Sequence, residues 1–207
     1  LHMKLADKLE DRDSEFLDKA SNTIVAQVEA LRKLVDAFGD YAREPELHRK
    51  DIRLDDLVRE IVALYLQGYS HIRFDLDLVE GPEGLSSDSG RIRQLLHNLI
   101  RNTGEATKEG PATLVIRSWT EEKPGIRYLC LELSDDGPGF PAMVLENPFQ
   151  PYVTNKAKGS GLGLAISRKI VSEHDGMIKL DNRAQGGARV SIRLPLEPTA
   201  NGASRAG

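Results

Sequence analysis

Cysteine occurs once in the 207 residues, at Cys130. Neither an internal disulfide nor a cysteine-built metal cage can form, and the composition fits a reducing, cytoplasmic compartment. No apolar run approaches the roughly 20 residues that a membrane-spanning helix needs, and the first residues lack the layout of a secretory signal. A basic excess is also missing: 28 Lys and Arg stand against 32 Asp and Glu, for a net charge of −4. This argues against the broad basic footprint of a nucleic-acid binder but leaves local phosphate binding open. A chain that opens at Leu1 reads as a piece of a longer protein, with any membrane anchor upstream, and His2-Met3 is compatible with a cloning remnant. What is present, 40% hydrophobic and 29% charged residues, suffices for a real core in one to two domains.

Glycine is absent before Gly39, and residues 1–45 read as helix, with the charged run Glu10 to Glu15 as a polar break. From Ile24 the apolar positions Val28, Leu31, Val35, Phe38 and Ala42 follow at spacings of 4, 3, 4, 3 and 4, the seam of a helix that packs against other helices. Leu1 to Leu9 is too short to cover that seam, so the partner is expected upstream or in a second subunit. Pro45 is expected to end the helix. Beyond His48 the pattern is mixed. Helices are expected over residues 52–67, 88–110 and 162–174, the first with Asp55 or a nearby residue available near its start. Strands are expected over 71–79, 112–120, 125–134, 177–182 and 188–196, giving a two-layer α+β domain. The domains are then 1–47, 48–197 and a disordered tail over 198–207.

Three segments carry chemistry. Asn98 and Asn102 lie four residues apart and share one helix face. Their carboxamides can offer oxygen to Mg²⁺ or nitrogen to phosphate, although paired asparagines also serve purely structural hydrogen bonds. In "SDDGPGF", Asp135 ends a strand and Gly137 and Gly139 follow at alternate positions. A carboxylate there can accept from an exocyclic amine while the glycines admit a flat ring; an ordinary Asp-Gly turn explains the segment equally well. In "KAKGSGLGL", Lys156 and Lys158 precede Gly159, Gly161 and Gly163 at the start of a helix, whose free N–H groups and dipole favour anions. This is neither the Walker pattern nor the dinucleotide fingerprint. The glycine-free stretch between Phe140 and Gly159, which contains Phe149, reads as a lid.

In this order the segments resemble the N, G1, F and G2 boxes of the GHKL ATP-binding family, specifically the catalytic domain of sensor histidine kinases. "LLHNLIRNTGEA" is similar to the N box, "DDGPG" to G1, "NPF" to the F box and "GSGLGL", from Gly159 and Ser160 through Leu162 and Gly163, to G2. "PYVTNKAKGSGLGLAI", "LVDAFGDYAREPE" and "GGARVSIRLP" look most like NtrY-type nitrogen-regulation kinases. The resemblance implies a Bergerat α/β sandwich, a mixed sheet with three helices, behind a partial helical hairpin that makes a homodimer. It implies ATP and Mg²⁺ as ligands, an NtrX-like response regulator as partner, and a membrane-anchored parent. By position, Asn102 would ligate Mg²⁺, with Asn98 at the metal or the phosphates. Asp135 would read adenine in a pocket shaped by Gly137 and Gly139. Lys156, with Lys158 and the Gly159 to Gly163 backbone, would hold the phosphate chain.

The sequence departs from the family at Thr103, where alanine is usual, at Gln150, where glutamate often stands, and at Asn155, where threonine is common. More seriously, none of His2, His48, His71, His97 and His174 has the context of the phosphoacceptor. His97 and His174 read as structural, and the acceptor is expected on an absent first helix. Two rival functions are a GHKL ATPase, disfavoured because Asn98 stands where such enzymes have a glutamate base, and a nucleotide-gated, non-catalytic dimeric module.

Overall fold

The computed structural model describes residues 11–42, 46–79, 85–108, 110–154 and 161–196. The chain divides into two compact units, Leu1–Arg43 and Glu44–Gly207. In the first, helix α1 (Asp11–Ala42) is 32 residues long. The charged residues Asp11 to Glu15 are helical, not a break, because glutamate and arginine are good helix formers that need no burial. Ile24, Val28, Leu31 and Val35 are all more than half exposed. The side chains of Phe38 and Ala42, the segment Leu1 to Leu9, and Pro45 lie outside the described residues. No helix among the described residues is long and apolar enough to cross a membrane.

The second unit begins with strand β1 (Lys50–Ile52) and helix α2 (Leu54–Tyr65). The N-cap of α2 is Arg53, which makes no side-chain cap bond. The expected Asp55 sits inside the first turn and takes an ion pair at 2.8 Å from Arg53. That guanidinium is the main reason its carboxyl titrates below the usual range. Strands β2 (Ile72–Asp77) and β3 (Leu85–Ser87) precede helix α3 (Ser89–Ala106). Next come β4 (Ala112–Lys123), β5 (Ile126–Asp135), the short helix α4 (Ala142–Glu146) and α5 (Gly163–Glu173). Strands β6 (Met177–Asn182) and β7 (Ala188–Leu196) close the fold.

Five strands form one sheet in the order β2-β4-β5-β7-β6. β2 runs parallel to β4 and the other pairs are antiparallel. The mixed α+β architecture agrees with the expectation. A separate two-stranded sheet pairs β1 with β3, Ile52 opposite Leu85; at three residues a strand is too short to show alternation, so neither is announced by its residue pattern. Alternate residues of β4 (Ala112, Leu114, Ile116, Ser118) and β7 (Val190, Ile192, Leu194, Leu196) are buried, and the buried stripes of α2, α3 and α5 supply further core residues. On α3, Leu95, Leu96 and Ile100 are fully buried, each stabilising by about 1.5–3 kcal/mol.

The start of α3 is fastened to the end of α5. At the start of α3, Asp88 caps through its side chain to the N–H groups of Gly90 and Arg91. Burial works against the Asp88 carboxylate, but those bonds and one from the His48 N–H outweigh it and lower its pKa. Arg91 grips Glu173 through both carboxylate oxygens, and buried His174 accepts the Asp88 N–H while its other nitrogen meets the Ile170 carbonyl. Both histidines read as structural sit in such settings. The Nδ1 of His97 lies 2.9 Å from the Tyr65 hydroxyl, and Tyr65 stacks on Tyr69. Tyr69 in turn occupies the space beside Gly104, where an added Cβ would come within 2.5 Å of its ring.

Burial, then the charges of Arg93 and Arg101, push the His97 pKa down. The unfolded chain, with an ordinary histidine near 6.5, therefore takes up the proton first. The stability contributed by neutral His97 is complete above that value and is lost as pH falls through it toward the folded pKa. Thermal melts between pH 7.5 and 5.5 should show a fall in midpoint that is shallower in His97→Gln; parallel curves would remove His97 as the cause.

Candidate functional site

Two of the segments singled out in the sequence meet α3: Gly163 at the start of α5 lies beside Asn102, and Asp135 at the end of β5 lies beside Thr103. Asn98 and Asn102 stand one turn apart on the same face of α3, and Asn102 meets the start of α5. A Cβ added to Gly163 would lie 3.7 Å from both carboxamide atoms of Asn102, so the first residue of α5 is bare where the amide approaches. The cap of α5 is Leu162, whose side chain has no oxygen to satisfy the helix's first N–H groups; the helix start therefore keeps its affinity for an anion. Asn98 is buried, and its Nδ2 has no hydrogen-bond partner among the described residues. A buried amide donor without a partner costs about 1–3 kcal/mol, a cost a phosphate oxygen at this place removes.

One residue further along α3, Thr103 touches the second part of the site. Its hydroxyl lies 3.3 Å from Asp135 Oδ2. Asp135 is the last residue of β5 and is 5% exposed. Its Oδ1 accepts from the N–H groups of Gly137 and Ala188, each at 3.0 Å, and its carbonyl accepts from Arg183 at 2.8 Å. Gly137 has no room for a side chain, since a Cβ would approach the Thr107 methyl to 2.7 Å. Gly139 has φ +78°, and its would-be Cβ meets Asn182 at 2.8 Å. Asn182 holds the turn from the far side, accepting from the Phe140 N–H and donating to its carbonyl. Gly187 lies so close to the Asp135 carbonyl that a Cβ would be 1.9 Å from the oxygen.

Phe149 and Tyr152 both have positive φ, 68° and 67°. The guanidinium of Arg168 on α5 lies 5.6 Å from the centre of the Phe149 ring. Gly161, at φ +67°, meets Tyr152: the Tyr152 N–H donates to the Gly161 carbonyl at 3.1 Å. Lys156, Lys158, Gly159 and Ser160 lie outside the described residues. Sequence reasoning missed Thr107, Asn182, Arg183, Gly187 and Ala188. Only the Gly186-Gly187 pair ahead of β7 left a signal, a tight turn opening onto the sheet.

A phosphate-favouring helix start and a recessed carboxylate acceptor, joined through adjacent residues of one helix, have the chemistry of a nucleotide-binding α+β domain. Residues 87–198 match the family described as histidine kinase-, DNA gyrase B-, and HSP90-like ATPase; with over half of the sequence matched, the chain belongs to that family. It is 30% identical over 193 residues to the nitrogen regulation protein NtrY of Azorhizobium caulinodans, covering 90% of this chain and 24% of that protein. To the sensory histidine kinase/phosphatase NtrB of Rhodobacter capsulatus it is 31% identical over 205 residues, covering 92% and 55%. The chain thus spans between about a quarter and about half of these relatives' lengths. Among solved structures, a nucleotide-free catalytic domain of histidine kinase ThkA is 30% identical with a TM-score of 0.63, covering 72% of this chain and 96% of that one. ThkA in complex with the response regulator protein TrrA gives a TM-score of 0.71 at 28% identity, covering 94% and 55%. The histidine kinase resemblance read from the four boxes is therefore correct, and the chain carries the ATP-binding catalytic domain of such a kinase.

Proposed function

We propose that the chain serves a sensor histidine kinase of the nitrogen-regulation kind, with residues 48–197 binding ATP and Mg²⁺ and residues 1–47 forming the later half of a dimerisation and phosphoacceptor hairpin. The observation that carries the reading is the approach of the Asn102 carboxamide to the bare start of α5, one helical turn from the Asn98 amide, whose Nδ2 has no partner among the described residues. Among the described residues no group of three or more His, Cys, Asp or Glu is arranged for a metal. A divalent cation here would take its protein oxygens from Asn102 and Asn98 and the rest from phosphates and water, as suits Mg²⁺. Bound Mg²⁺ would neutralise charge on the phosphates. Asp135 Oδ2 accepts the adenine amine, with Gly137 and Gly139 walling the ring. The backbone from Gly159 through Ser160, Gly161 and Leu162 to Gly163, with Lys156 and Lys158, holds the phosphate chain, and Phe149 sits at the lid's base.

The γ-phosphoryl group then faces in-line attack by a histidine nitrogen from an upstream helix, with positioning and charge neutralisation as the domain's contribution. A carboxamide at position 98 cannot take a proton from water, which favours phosphotransfer over hydrolysis. The exposed seam of α1 suits a homodimer. Onward transfer goes to the aspartate of a response regulator, on the cytoplasmic side of a membrane-anchored parent.

The test is incubation with Mg²⁺ and γ-labelled ATP of this chain and of one extended upstream by the missing helix. Acid-labile label is expected on the extended chain only. Label on any of the five histidines here, or rapid release of free phosphate without label, would overturn the assignment.

A further inference from the structure

Asp135 is the residue on which base recognition rests in the reading above, and its two oxygens are held unequally. Oδ1 is occupied by two backbone N–H groups, from Gly137 and Ala188. Oδ2, the atom left to meet a base, receives one side-chain donor, the hydroxyl of Thr103 at 3.3 Å. Each carboxylate oxygen has about two lone-pair directions. A donor fixed on one of them decides where the other points. Thr103 is itself well fixed, 8% exposed, with its carbonyl accepting from the Thr107 hydroxyl at 2.9 Å. The Thr107 methyl in turn borders Gly137, so the two threonines and the Asp135 turn form one packed unit.

We propose that Thr103 is a positioning and specificity residue of the base pocket: its hydroxyl, donated to Asp135 Oδ2, fixes the free lone pair toward the base and so sharpens selection of an exocyclic amine over an oxo group. The inference rests on the reading of Asp135 as the amine acceptor. Because Thr103 follows Asn102 directly on α3, the helix that carries the phosphate-side amide also orients the base-side carboxylate. A methyl in place of the hydroxyl fills the same space but leaves Oδ2 with no side-chain donor to orient it, and water can then enter at the second lone pair.

The test compares Mg²⁺·ATP with Mg²⁺·ITP, whose base carries oxygen in place of the amine, by titration calorimetry on the full chain. In Thr103→Val the ATP dissociation constant is expected to rise about 3- to 10-fold, the range of one buried hydrogen bond, while that of ITP stays within about 2-fold, the null end of the same range. The ratio between the two nucleotides therefore shrinks, and Thr103→Ser restores it. If Thr103→Val does not fold, Thr103→Ala is read in the same way. Equal weakening of both nucleotides would reduce Thr103 to a packing residue, and no change in either would also overturn the proposal. A native chain that binds ATP and ITP alike would instead strike at the Asp135 reading itself.

Discussion

Asp135→Asn is expected to weaken ATP binding by about 100-fold while leaving the domain folded. The substitution keeps an oxygen for the Gly137 and Ala188 N–H groups, because those two backbone donors dictate which way the amide is placed. The atom in the position of Oδ2 then becomes an NH₂ group. It opposes the adenine amine, donor against donor, and it no longer accepts from Thr103. Loss of a hydrogen bond to a charged acceptor is worth about 1.5–3 kcal/mol, and each 1.4 kcal/mol is about tenfold in affinity. The unliganded domain loses only the Thr103 bond, whose hydroxyl can rotate to meet the new amide as acceptor, so its thermal midpoint should move by a few degrees, about 2–4 °C per kcal/mol at this size. Calorimetric titration and a melt on the same sample separate the two effects. Unchanged affinity in a folded variant would take the adenine-reading role away from Asp135.

The parts of the fold legible in the sequence are those whose local pattern is long enough to repeat. β6 and β7 fall at the expected residues because alternation runs through each strand and a glycine, Gly176 or Gly187, stands just before each. The α3 helix is shorter at both ends than expected, since the Asp88 cap starts it and glycine lies beyond it. Asp11 to Glu15 went against the reading because charge was taken as a break, whereas charged residues do not end a helix as glycine and proline do. β1 and β3 carried no readable pattern, and Ile52 opposite Leu85 exists only once the chain has folded. The site divides along the same line. Asn98, Asn102, Asp135 and Gly163 were legible because spacing on one helix, or position at a strand end, is local. Ala188 contributes a backbone N–H, a role that leaves no mark on residue type, and the Arg183 guanidinium donates to the Asp135 carbonyl, a long-range contact that only the folded chain makes. Gly104 had no local explanation either, and its reason is the Tyr69 ring packed against it from the turn between α2 and β2.

Gly187→Ala is expected to be the most damaging single methyl in the domain. At φ +93° an L-residue is strained wherever it stands, at about 1–3 kcal/mol. Here the added carbon would also lie 1.9 Å from the Asp135 carbonyl oxygen and 2.9 Å from the Asp136 Cα. These are backbone atoms, so no rotamer change relieves the overlap; the end of β5 and the turn before β7 must separate. That movement pulls the Ala188 N–H from Asp135 Oδ1 and the Asp135 carbonyl from Arg183, so stability and the base pocket fail together. With overpacking of about 1–3 kcal/mol added, the midpoint should fall on the order of 10 °C, and saturating ATP should recover less of it than in the native chain. Gly186 supplies the control. Its φ is +94°, yet nothing lies within 4 Å of its would-be Cβ, so Gly186→Ala carries the conformational cost alone and should lower the midpoint by only a few degrees, within the same scale of about 2–4 °C per kcal/mol. Equal losses in the two variants would mean that left-handed backbone strain, not the close approach to Asp135, is why glycine stands at 187.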